Sequence, residues 1–240
     1  MKAFLLAAGK GTRLSPLTDS TPKCLMTIAG KPLIEIWINL LEKNGVTEIL
    51  INTHHLSEAV ESFVESLQTS VNITTIYEKT LLGSGGTVLV NRTFVKDEKD
   101  FIIAYADTLT NINLLDMAIH HRHIKKKGGI LTMALFHAPD PSACGIAELD
   151  SEQKIVSFME KPKNPKSNLA NGGIYVASNE IFSFFPESVP DGSILDFGFH
   201  ILPELAGRMY GYEILDYLKD IGTIDALEAA REEWPLIDKP

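Results

Sequence analysis

The sequence predicts an α/β fold with a mostly parallel central sheet and an antiparallel extension. In the first half of the chain, short apolar segments alternate with amphipathic ones, which is the pattern of successive βαβ units. From residue 130 onward, short strand-like segments follow one another, with Pro and Asn turns and no long helix between them. We expect these later strands to extend the parallel sheet.

Most elements of the first half have a local signal. Residues 3–7 ("AFLLA") are a short apolar run, as expected for a buried parallel strand. Residues 33–45 have helical periodicity, and Gly45 suits the position just beyond a helix. The expected buried face of this helix is Leu33, Ile36, Trp37, Leu40 and Leu41. The other predictions are strands at 47–53, 72–77 and 101–107, helices at 57–67 and 113–127, and a short helix after a Gly-rich bend at 83–86.

The end of helix 113–127 is rich in histidine and lysine ("HHRHIKKK", 120–127). Cations near a helix C-terminus are favoured by the helix dipole. We therefore interpret this segment as a solvated face rather than as a metal or phosphate site.

The second half is predicted to contain short strands and two helices. The strands are expected at 130–136, 144–150, 154–162, 171–178, 209–214 and 217–223, and the helices at 196–206 and 223–234. No Pro-, Gly- or Ser-rich linker divides the chain. We therefore predict a single domain over residues 1–240.

Composition excludes several classes of function. The net charge of −9 opposes the long-range attraction that binding to nucleic acid or to an anionic membrane requires. The two cysteines, Cys24 and Cys144, have neither metal-ligand spacing nor a disulfide pattern, which suits the cytoplasm. No segment has the length of a signal peptide core or of a membrane span.

The segment after the first strand, "LAAGKGTRLSPLTDSTPKCL" (6–25), has the composition of a phosphate-binding loop. Gly9 and Gly11 allow backbone N–H groups to approach a ligand closely, and Arg13 and Lys23 supply positive charge. The segment is not a Walker A motif, and Leu14 occupies the place of the third glycine of a dinucleotide-binding motif. Taken alone, it is equally compatible with an ordinary Gly-rich turn and two surface cations.

The longer string "LAAGKGTRLSPLTDSTPKCLMTIAGKPLIE" resembles the N-terminal signature of the sugar-1-phosphate nucleotidylyltransferase family. It matches G-x-G-T-R-L-x-P-L-T, then P-K-x-L, then G-x-P-L-I-E. Later segments are similar to further family motifs along almost the whole chain: "GSGGTV", "YAD", "CGIAELD", "EKP", "NGGIY" and "DIGT". The resemblance implies a Rossmann-like three-layer αβα fold and a cytoplasmic enzyme.

The activity that this resemblance implies is Mg²⁺-dependent transfer of a nucleoside monophosphate from an NTP to a sugar 1-phosphate, with release of pyrophosphate. The nucleotide-binding half would be about 1–112 and the sugar-phosphate-binding half about 113–240. Since 240 residues leave no room for the C-terminal β-helix of some members, we expect none, and we expect a monomer or a homodimer.

The resemblance also implies roles for individual residues. Lys23, Arg13 and Asp107 would be catalytic: Lys23 contacts the reacting phosphates and Arg13 the departing pyrophosphate. Asp107 and Asp220 would bind the metal. The expected nucleotide-binding residues are Leu6, Ala7, Ala8, Gly9, Gly11, Thr12, Arg13, Lys23, Leu82, Gly83, Gly85 and Gly86. The expected sugar-phosphate-binding residues are Gly145, Glu160, Lys161 and Asn171. Taken singly, the acids could equally be solvated turn residues, and "EKP" an exposed strand end.

The substrates are predicted from "LLGSGG" (81–86), which is closer to the L-G-T-A-G of mannose-1-phosphate guanylyltransferases than to the L-A-Q-A of thymidylyltransferases. This favours GTP and a mannose- or heptose-type sugar phosphate. UTP comes next, because a T-G-G similar to Ser84-Gly85-Gly86 occurs in muramate-1-phosphate uridylyltransferases. The alternatives are a phosphocholine-type cytidylyltransferase and a catalytically silent regulatory module that binds a nucleotide sugar.

Overall fold

A computed structural model describes residues 1–189 and 192–237. The chain packs into two compact units, each made of separate segments. The first consists of Met1–Leu81, Ala104–Ile112 and the chain from Asp216 onward, and the second of Leu82–Ile103 and Asn113–Leu215. This division differs from the predicted halves, because residues 82–103 pack with the second unit and the chain from Asp216 onward packs with the first. The binding functions assigned to the two halves stay predictions.

Thirteen strands and five α-helices occur in the described part of the chain. The strands are β1 (Lys2–Leu6), β2 (Thr27–Ile28), β3 (Lys31–Pro32), β4 (Glu48–Thr53), β5 (Asn72–Tyr77), β6 (Asp100–Tyr105), β7 (Thr108–Thr110), β8 (Leu131–His137), β9 (Gly145–Leu149), β10 (Lys154–Glu160), β11 (Leu169–Ser178), β12 (Met209–Glu213) and β13 (Leu218–Asp220). The helices are α1 (Leu33–Lys43), α2 (Ser57–Ser66), α3 (Ser84–Val90), α4 (Leu114–Lys125) and α5 (Ile224–Ile237). None of these helices is long and apolar enough to cross a bilayer.

The first unit contains the parallel strands predicted from the N-terminal sequence. β1 pairs in parallel with β4, so that Leu6 lies opposite Asn52, and β4 pairs in parallel with β5. The side chains of Ala3, Phe4 and Leu5 are fully buried, as the apolar run requires. Because β1 and β4 are parallel, both of their carboxyl ends lie at the same edge of the sheet, where open α/β sheets bind ligands.

Helix α1 buries a different stripe from the predicted one. The buried residues are Leu33, Ile34, Trp37, Ile38 and Leu41, whereas the predicted Ile36 and Leu40 are only partly buried. The spacing Ile34, Trp37, Ile38, Leu41 is the i, i+3, i+4, i+7 pattern of a helix face. Since every candidate was apolar, residue type alone did not choose between the two faces.

The second unit contains the predicted antiparallel extension. β11 pairs antiparallel with β8, and β10 pairs antiparallel with β9 and β12. One pairing in this unit, β12 with β8, is parallel. The α/β class with a mixed sheet is therefore confirmed.

Two local predictions in the second unit were wrong in detail. Gly85 and Gly86 lie inside α3 rather than in a bend before a helix. The predicted helix 196–206 is a π-helix (Phe197–Ile201) followed by a 3₁₀ helix (Leu202–Leu205). Pro203 lies in the second of these and has no N–H to continue an α-helical ladder.

The prediction of a solvated face at 120–127 was also wrong for two residues, His121 and the apolar Ile124. His121 is fully buried in α4, and one ring nitrogen lies 3.1 Å from Oγ1 of Thr132. Its other nitrogen lies 3.5 Å from a carboxylate oxygen of Asp100, which also pairs with Lys125. Burial acts to raise the pKa of Asp100, but hydrogen bonds and charge from His121 and Lys125 outweigh it, so that this pKa lies below its usual value. His121 and Lys125 of α4 thus make internal polar contacts with Asp100.

Candidate functional site

The loop that follows β1 presents unsatisfied backbone donors. Within the residues that the structure describes, the N–H groups of Ala8, Gly9 and Lys10 donate no hydrogen bond. They follow a parallel strand at its carboxyl end, where a ligand with oxygen acceptors is expected. This part of the predicted nucleotide-binding loop has the donors that a nucleotide requires.

Gly11 is needed for the shape of the same loop. Its φ is +63°, and a Cβ atom there would lie 2.8 Å from Cγ2 of Thr18 and 3.2 Å from Cβ of Lys23. The Thr18 hydroxyl also donates to the Gly11 carbonyl at 2.9 Å. Only glycine allows the loop to pass this close to Lys23.

Lys23 lies at the centre of a cluster of charges in the first unit. Its Nζ lies 2.8 Å from Oδ2 of Asp107 and 3.1 Å from Oδ1 of Asp220, and its side chain is only 8% exposed. Nη2 of Arg13 lies 3.8 Å from Oδ2 of Asp220, with the Arg13 side chain largely exposed. The structure therefore brings together all three predicted catalytic residues and both predicted metal ligands.

Backbone pairing holds the two acids in place. β13 runs antiparallel to β7, so that Asp220 lies opposite Thr108, and the Ile221 N–H donates to the Asp107 carbonyl at 3.1 Å. The indole N–H of the buried Trp37 donates to the Thr108 carbonyl at 2.7 Å. Two residues far apart in sequence are thus fixed beside each other by a short two-stranded ladder and one helix side chain.

The two carboxylates converge on a single cation, which is the ammonium group of Lys23. Carboxylate oxygens are the ligands that Mg²⁺ prefers, and Mg²⁺ is usually held by one or two of them together with substrate phosphates and water. No group of three or more His, Cys, Asp or Glu side chains with metal-binding geometry occurs in residues 1–189 and 192–237. Asp107 and Asp220 are therefore suited to a metal that a substrate helps to bind.

Cys24, next to Lys23, is not a candidate nucleophile. Burial raises the pKa of its thiol to about 12, with a smaller contribution in the same direction from the charge of Asp107. The thiolate is the nucleophilic form of cysteine, and it is absent near neutral pH at such a pKa. Cys24 is a buried packing residue.

Glu160 is the centre of a second group of predicted site residues, in the second unit. It is the last residue of β10, and two glycines make room for its carboxylate. A Cβ atom at Gly145 would lie 2.4 Å from its Oε2, and one at Gly198 would lie 2.7 Å from the same oxygen. Burial raises the pKa of Glu160, the charge of Asp196 raises it further, and Lys161 opposes the shift.

Asp196 is a polar residue of this region that the sequence reasoning missed. Its Oδ1 accepts from the Phe199 N–H at 2.9 Å, and its Oδ2 accepts from the Ser84 hydroxyl at 3.2 Å. Ser84 Oγ in turn accepts from the Phe197 N–H at 2.8 Å. An Asp before the first turn of a helical segment is a local N-cap signal, which was available in "LDFGF". Its proximity to Glu160 was not available locally.

The glycines of the predicted base-binding segment accommodate the protein's own backbone. A Cβ atom at Gly83, where φ is +81°, would lie 2.6 Å from the Leu195 carbonyl oxygen, and one at Gly85 would lie 3.1 Å from it. The Gly86 N–H donates to this carbonyl, and the Leu195 N–H donates to the Leu82 carbonyl, both at 2.9 Å. The absence of side chains here has a structural cause, and contact of Leu82, Gly83, Gly85 and Gly86 with a base stays a prediction.

The remaining predicted sugar-phosphate residues have local partners. The Asn171 side chain donates to the Tyr175 hydroxyl at 2.6 Å and accepts from the Gly173 N–H at 3.0 Å. Lys161 is exposed, has a φ of +48°, and donates its N–H to the Cys144 carbonyl. The sugar-phosphate roles of Asn171 and Lys161 stay predictions.

Comparison with known proteins shows which family the chain belongs to. The family model described as nucleotidyl transferase matches residues 2–235. The chain belongs to the nucleotidyl transferase family. The bifunctional protein GlmU of Methanococcus maripaludis is 34% identical over 227 residues, which are 92% of this chain and 51% of GlmU. The chain thus spans about half the length of that relative.

Two further proteins are similar over most of the chain. Mannose-1-phosphate guanyltransferase beta-A of Xenopus laevis is 29% identical over 231 residues, which are 92% of this chain and 61% of that protein. The crystal structure of a putative glucose-1-phosphate thymidylyltransferase from Bacillus anthracis has a TM-score of 0.84 at 24% identity and covers 100% of this chain and 96% of its own. The fold is therefore α/β of the Rossmann-like type.

Proposed function

We propose that this chain catalyses the Mg²⁺-dependent transfer of a nucleoside monophosphate from an NTP to a sugar 1-phosphate. The observation that carries the proposal is the convergence of Asp107 and Asp220 on the ammonium group of Lys23, with Arg13 beside them. Such a cluster offers two oxygen ligands and two cations within one compact unit. The names of similar proteins, which include a guanyltransferase for a sugar 1-phosphate, support the same reaction.

The chemistry explains why these residue types are needed. A phosphate oxygen of the sugar 1-phosphate attacks the α-phosphorus of the NTP, and the bond to the bridging oxygen of the β-phosphate breaks, so that pyrophosphate leaves. Both reactants are anions, so their repulsion is the first part of the barrier. Neutralisation and in-line positioning account for most of the catalysis in phosphoryl transfer. No covalent intermediate with the protein is needed, in agreement with the neutral thiol of Cys24.

Each member of the cluster has a role in this scheme. Lys23 moves from the carboxylates to the reacting phosphates when the substrates bind, and Arg13 stabilises the charge that develops on pyrophosphate. Asp107 and Asp220 would hold Mg²⁺, which when bound would supply Lewis-acid stabilisation of the phosphate oxygens. The unpaired N–H groups of Ala8 and Gly9 bind the nucleotide.

The sugar phosphate is assigned to the second unit through Glu160. A carboxylate accepts two hydroxyl hydrogen bonds at once, and the missing side chains of Gly145 and Gly198 make room for this carboxylate. Residues 81–86 favour GTP, followed by UTP, and a mannose- or heptose-type sugar. Lys161 and Asn171 complete the proposed sugar-phosphate contacts.

Pyrophosphate release in the presence of Mg²⁺ tests this function. GTP, UTP, CTP, dTTP and ATP are each combined with mannose, glucose, N-acetylglucosamine, heptose and muramate 1-phosphates, and also with phosphocholine. We expect one strong combination, with GTP and mannose 1-phosphate or a heptose 1-phosphate. Turnover with CTP and phosphocholine alone would replace the proposal by the cytidylyltransferase alternative. NTP binding without any turnover would favour the silent regulatory module.

A further inference from the structure

A chain of three hydrogen-bonding groups, two of which are buried side chains, ends at the nucleotide-binding loop. The N–H of Ala7 donates to Oδ1 of Asn52 at 2.8 Å, and Nδ2 of Asn52 donates to Oε1 of Glu78 at 2.9 Å. The side chains belong to residues that are each only 4% exposed. Asn52 lies in β4 opposite Leu6 of β1, and Glu78 directly follows β5. Neither residue is part of the cluster around Lys23.

The peptide group that joins Leu6 to Ala7, at the end of β1, is held by hydrogen bonds on both sides. The Leu6 carbonyl accepts from the Ala106 N–H at 2.9 Å, while the Ala7 N–H of the same peptide group donates to Asn52. The N–H groups that follow, of Ala8 and Gly9, have no partner among the described residues. The backbone is therefore hydrogen-bonded within the protein up to the Ala7 N–H, and from Ala8 onward its N–H groups are available to a ligand.

The residue types suit a positioning role. An asparagine amide has one oxygen acceptor and one nitrogen donor, and its two orientations are otherwise nearly equal in shape. The Ala7 N–H requires an acceptor, so the oxygen of Asn52 faces Ala7, and its nitrogen faces Oε1 of Glu78, which accepts from it. Buried polar groups are costly unless they are satisfied, so a carboxylate buried at the end of β5 needs a reason to be there.

We propose that Asn52 and Glu78 are positioning residues for nucleotide binding: Glu78 orients the Asn52 amide, and Asn52 fixes the peptide group from which the nucleotide-binding N–H groups of Ala8 and Gly9 project. The inference rests on the proposed function and adds a pair of residues outside the charged cluster. It assigns no contact between either side chain and a substrate.

The test compares two variants at each position. Asn52→Leu keeps the branched shape of the side chain, with a larger volume, and removes both hydrogen bonds, and Asn52→Ala replaces it if the leucine variant does not fold. Glu78→Gln keeps an oxygen that accepts from Asn52, whereas Glu78→Met has no such oxygen. Asn44→Ala is the matched control, because the Asn44 amide donates to the Leu40 carbonyl at the end of α1, within its own helix. Circular dichroism checks that each variant is folded.

The measurements are the affinities for GTP and UTP with Mg²⁺, by equilibrium titration, and the separate kcat and KM values for NTP and sugar 1-phosphate. We expect Asn52→Leu and Glu78→Met to weaken NTP binding by about tenfold, the usual consequence of losing a buried hydrogen bond. The KM for the sugar phosphate should change less than twofold. The NTP affinity of Glu78→Gln should stay within about threefold of the wild-type affinity, and that of Asn44→Ala should equal it.

The double variant Asn52→Leu/Glu78→Met separates positioning from packing. If Glu78 acts through Asn52, removing Glu78 has no further effect on NTP affinity once Asn52 is gone, whereas independent effects multiply. Multiplied effects, or NTP affinities equal to that of the wild type in both single variants, would overturn the inference while leaving the proposed function intact. A wild-type chain that binds neither GTP nor UTP would overturn both.

Discussion

The ammonium group of Lys23 lies 2.8 Å from a carboxylate oxygen of Asp107, and it reaches Asp220 as well. The same two carboxylates are the proposed ligands of Mg²⁺. A metal ion that arrives without a nucleotide therefore competes with Lys23 for them. On the proposed function a nucleotide would remove this competition, because its phosphates would give Lys23 another partner.

Replacement of Lys23 by methionine is expected to separate metal binding from catalysis. In Lys23→Met, Mn²⁺ alone should bind on the order of tenfold more tightly, since the competing cation is gone. Turnover should fall by roughly two orders of magnitude or more, since the reacting phosphates lose a positive charge. Electron paramagnetic resonance of free Mn²⁺ measures the first effect and pyrophosphate release the second. Lys31→Met, at an exposed position, is the control; weaker Mn²⁺ binding in Lys23→Met would contradict the competition.

The isosteric variants Asp107→Asn and Asp220→Asn are expected to lower turnover by about 10²–10³-fold, because each removes a charged ligand of the proposed metal. Binding of Mn²⁺ in the presence of the NTP should weaken in parallel. Asp97→Asn, in an exposed turn of the second unit, should change neither quantity. Near-normal turnover in either of the first two variants would remove that residue from the site.

Glu160→Gln is expected to raise stability and to impair use of the sugar phosphate. The pKa of Glu160 is raised, first by burial and then by Asp196, so the folded protein favours the protonated acid. The contribution of this group to stability is present below the usual Glu pKa, about 4, and is lost as the pH rises through the raised value. The variant should therefore have the higher Tm at pH 8, and the difference should vanish below about pH 4.

Thermal unfolding across this pH range measures the effect, with the exposed Glu65→Gln as control. The KM for the sugar 1-phosphate should rise in Glu160→Gln while the affinity for NTP stays the same. If the variant and the wild type had the same Tm at pH 8, ionisation of Glu160 would not destabilise the folded protein, whatever the part of Glu160 in substrate binding.

Gly83→Ala is expected to destabilise the second unit by about 2–4 kcal/mol, since φ is +81°, ψ is 164° and the new Cβ would lie 2.6 Å from the Leu195 carbonyl oxygen. Gly207→Ala separates the two causes. Its φ is +82°, but no atom lies within 4 Å of the new Cβ, so only about 1 kcal/mol of backbone strain is expected. Urea unfolding measures both; equal losses would mean that the approach of Leu195 costs nothing.

Local sequence was sufficient for the parts of the fold and site that depend on neighbouring residues. The apolar run of β1 and the glycines after it indicate a strand and a loop, because their causes lie within a few residues. Local sequence was not sufficient to select the two acids that are the proposed metal ligands. Taken singly, Asp107 and Asp220 were ordinary turn acids, and only the family resemblance selected them. Their proximity depends on the pairing of β7 with β13.

Other features needed distant partners that no local pattern names. His121 has the spacing of the buried stripe of α4, with Leu114, Met117 and Ile124, so its burial could have been predicted. The Asp100 and Thr132 contacts that make this burial tolerable come from two strands and could not. The same holds for Asn52 and Asp196, whose partners lie on other elements.

The pairing of β7 with β13 also has a consequence for the time at which the site forms. Synthesis proceeds from the N-terminus, so the first unit must wait, while the whole second unit is made, for the segment that carries Asp220. Domains begin to fold as they emerge from the ribosome. A nascent chain that has not yet reached residue 220 has Asp107 and Lys23 but only one of the two acids, so on the proposed function it cannot turn over NTP until Asp220 has been made.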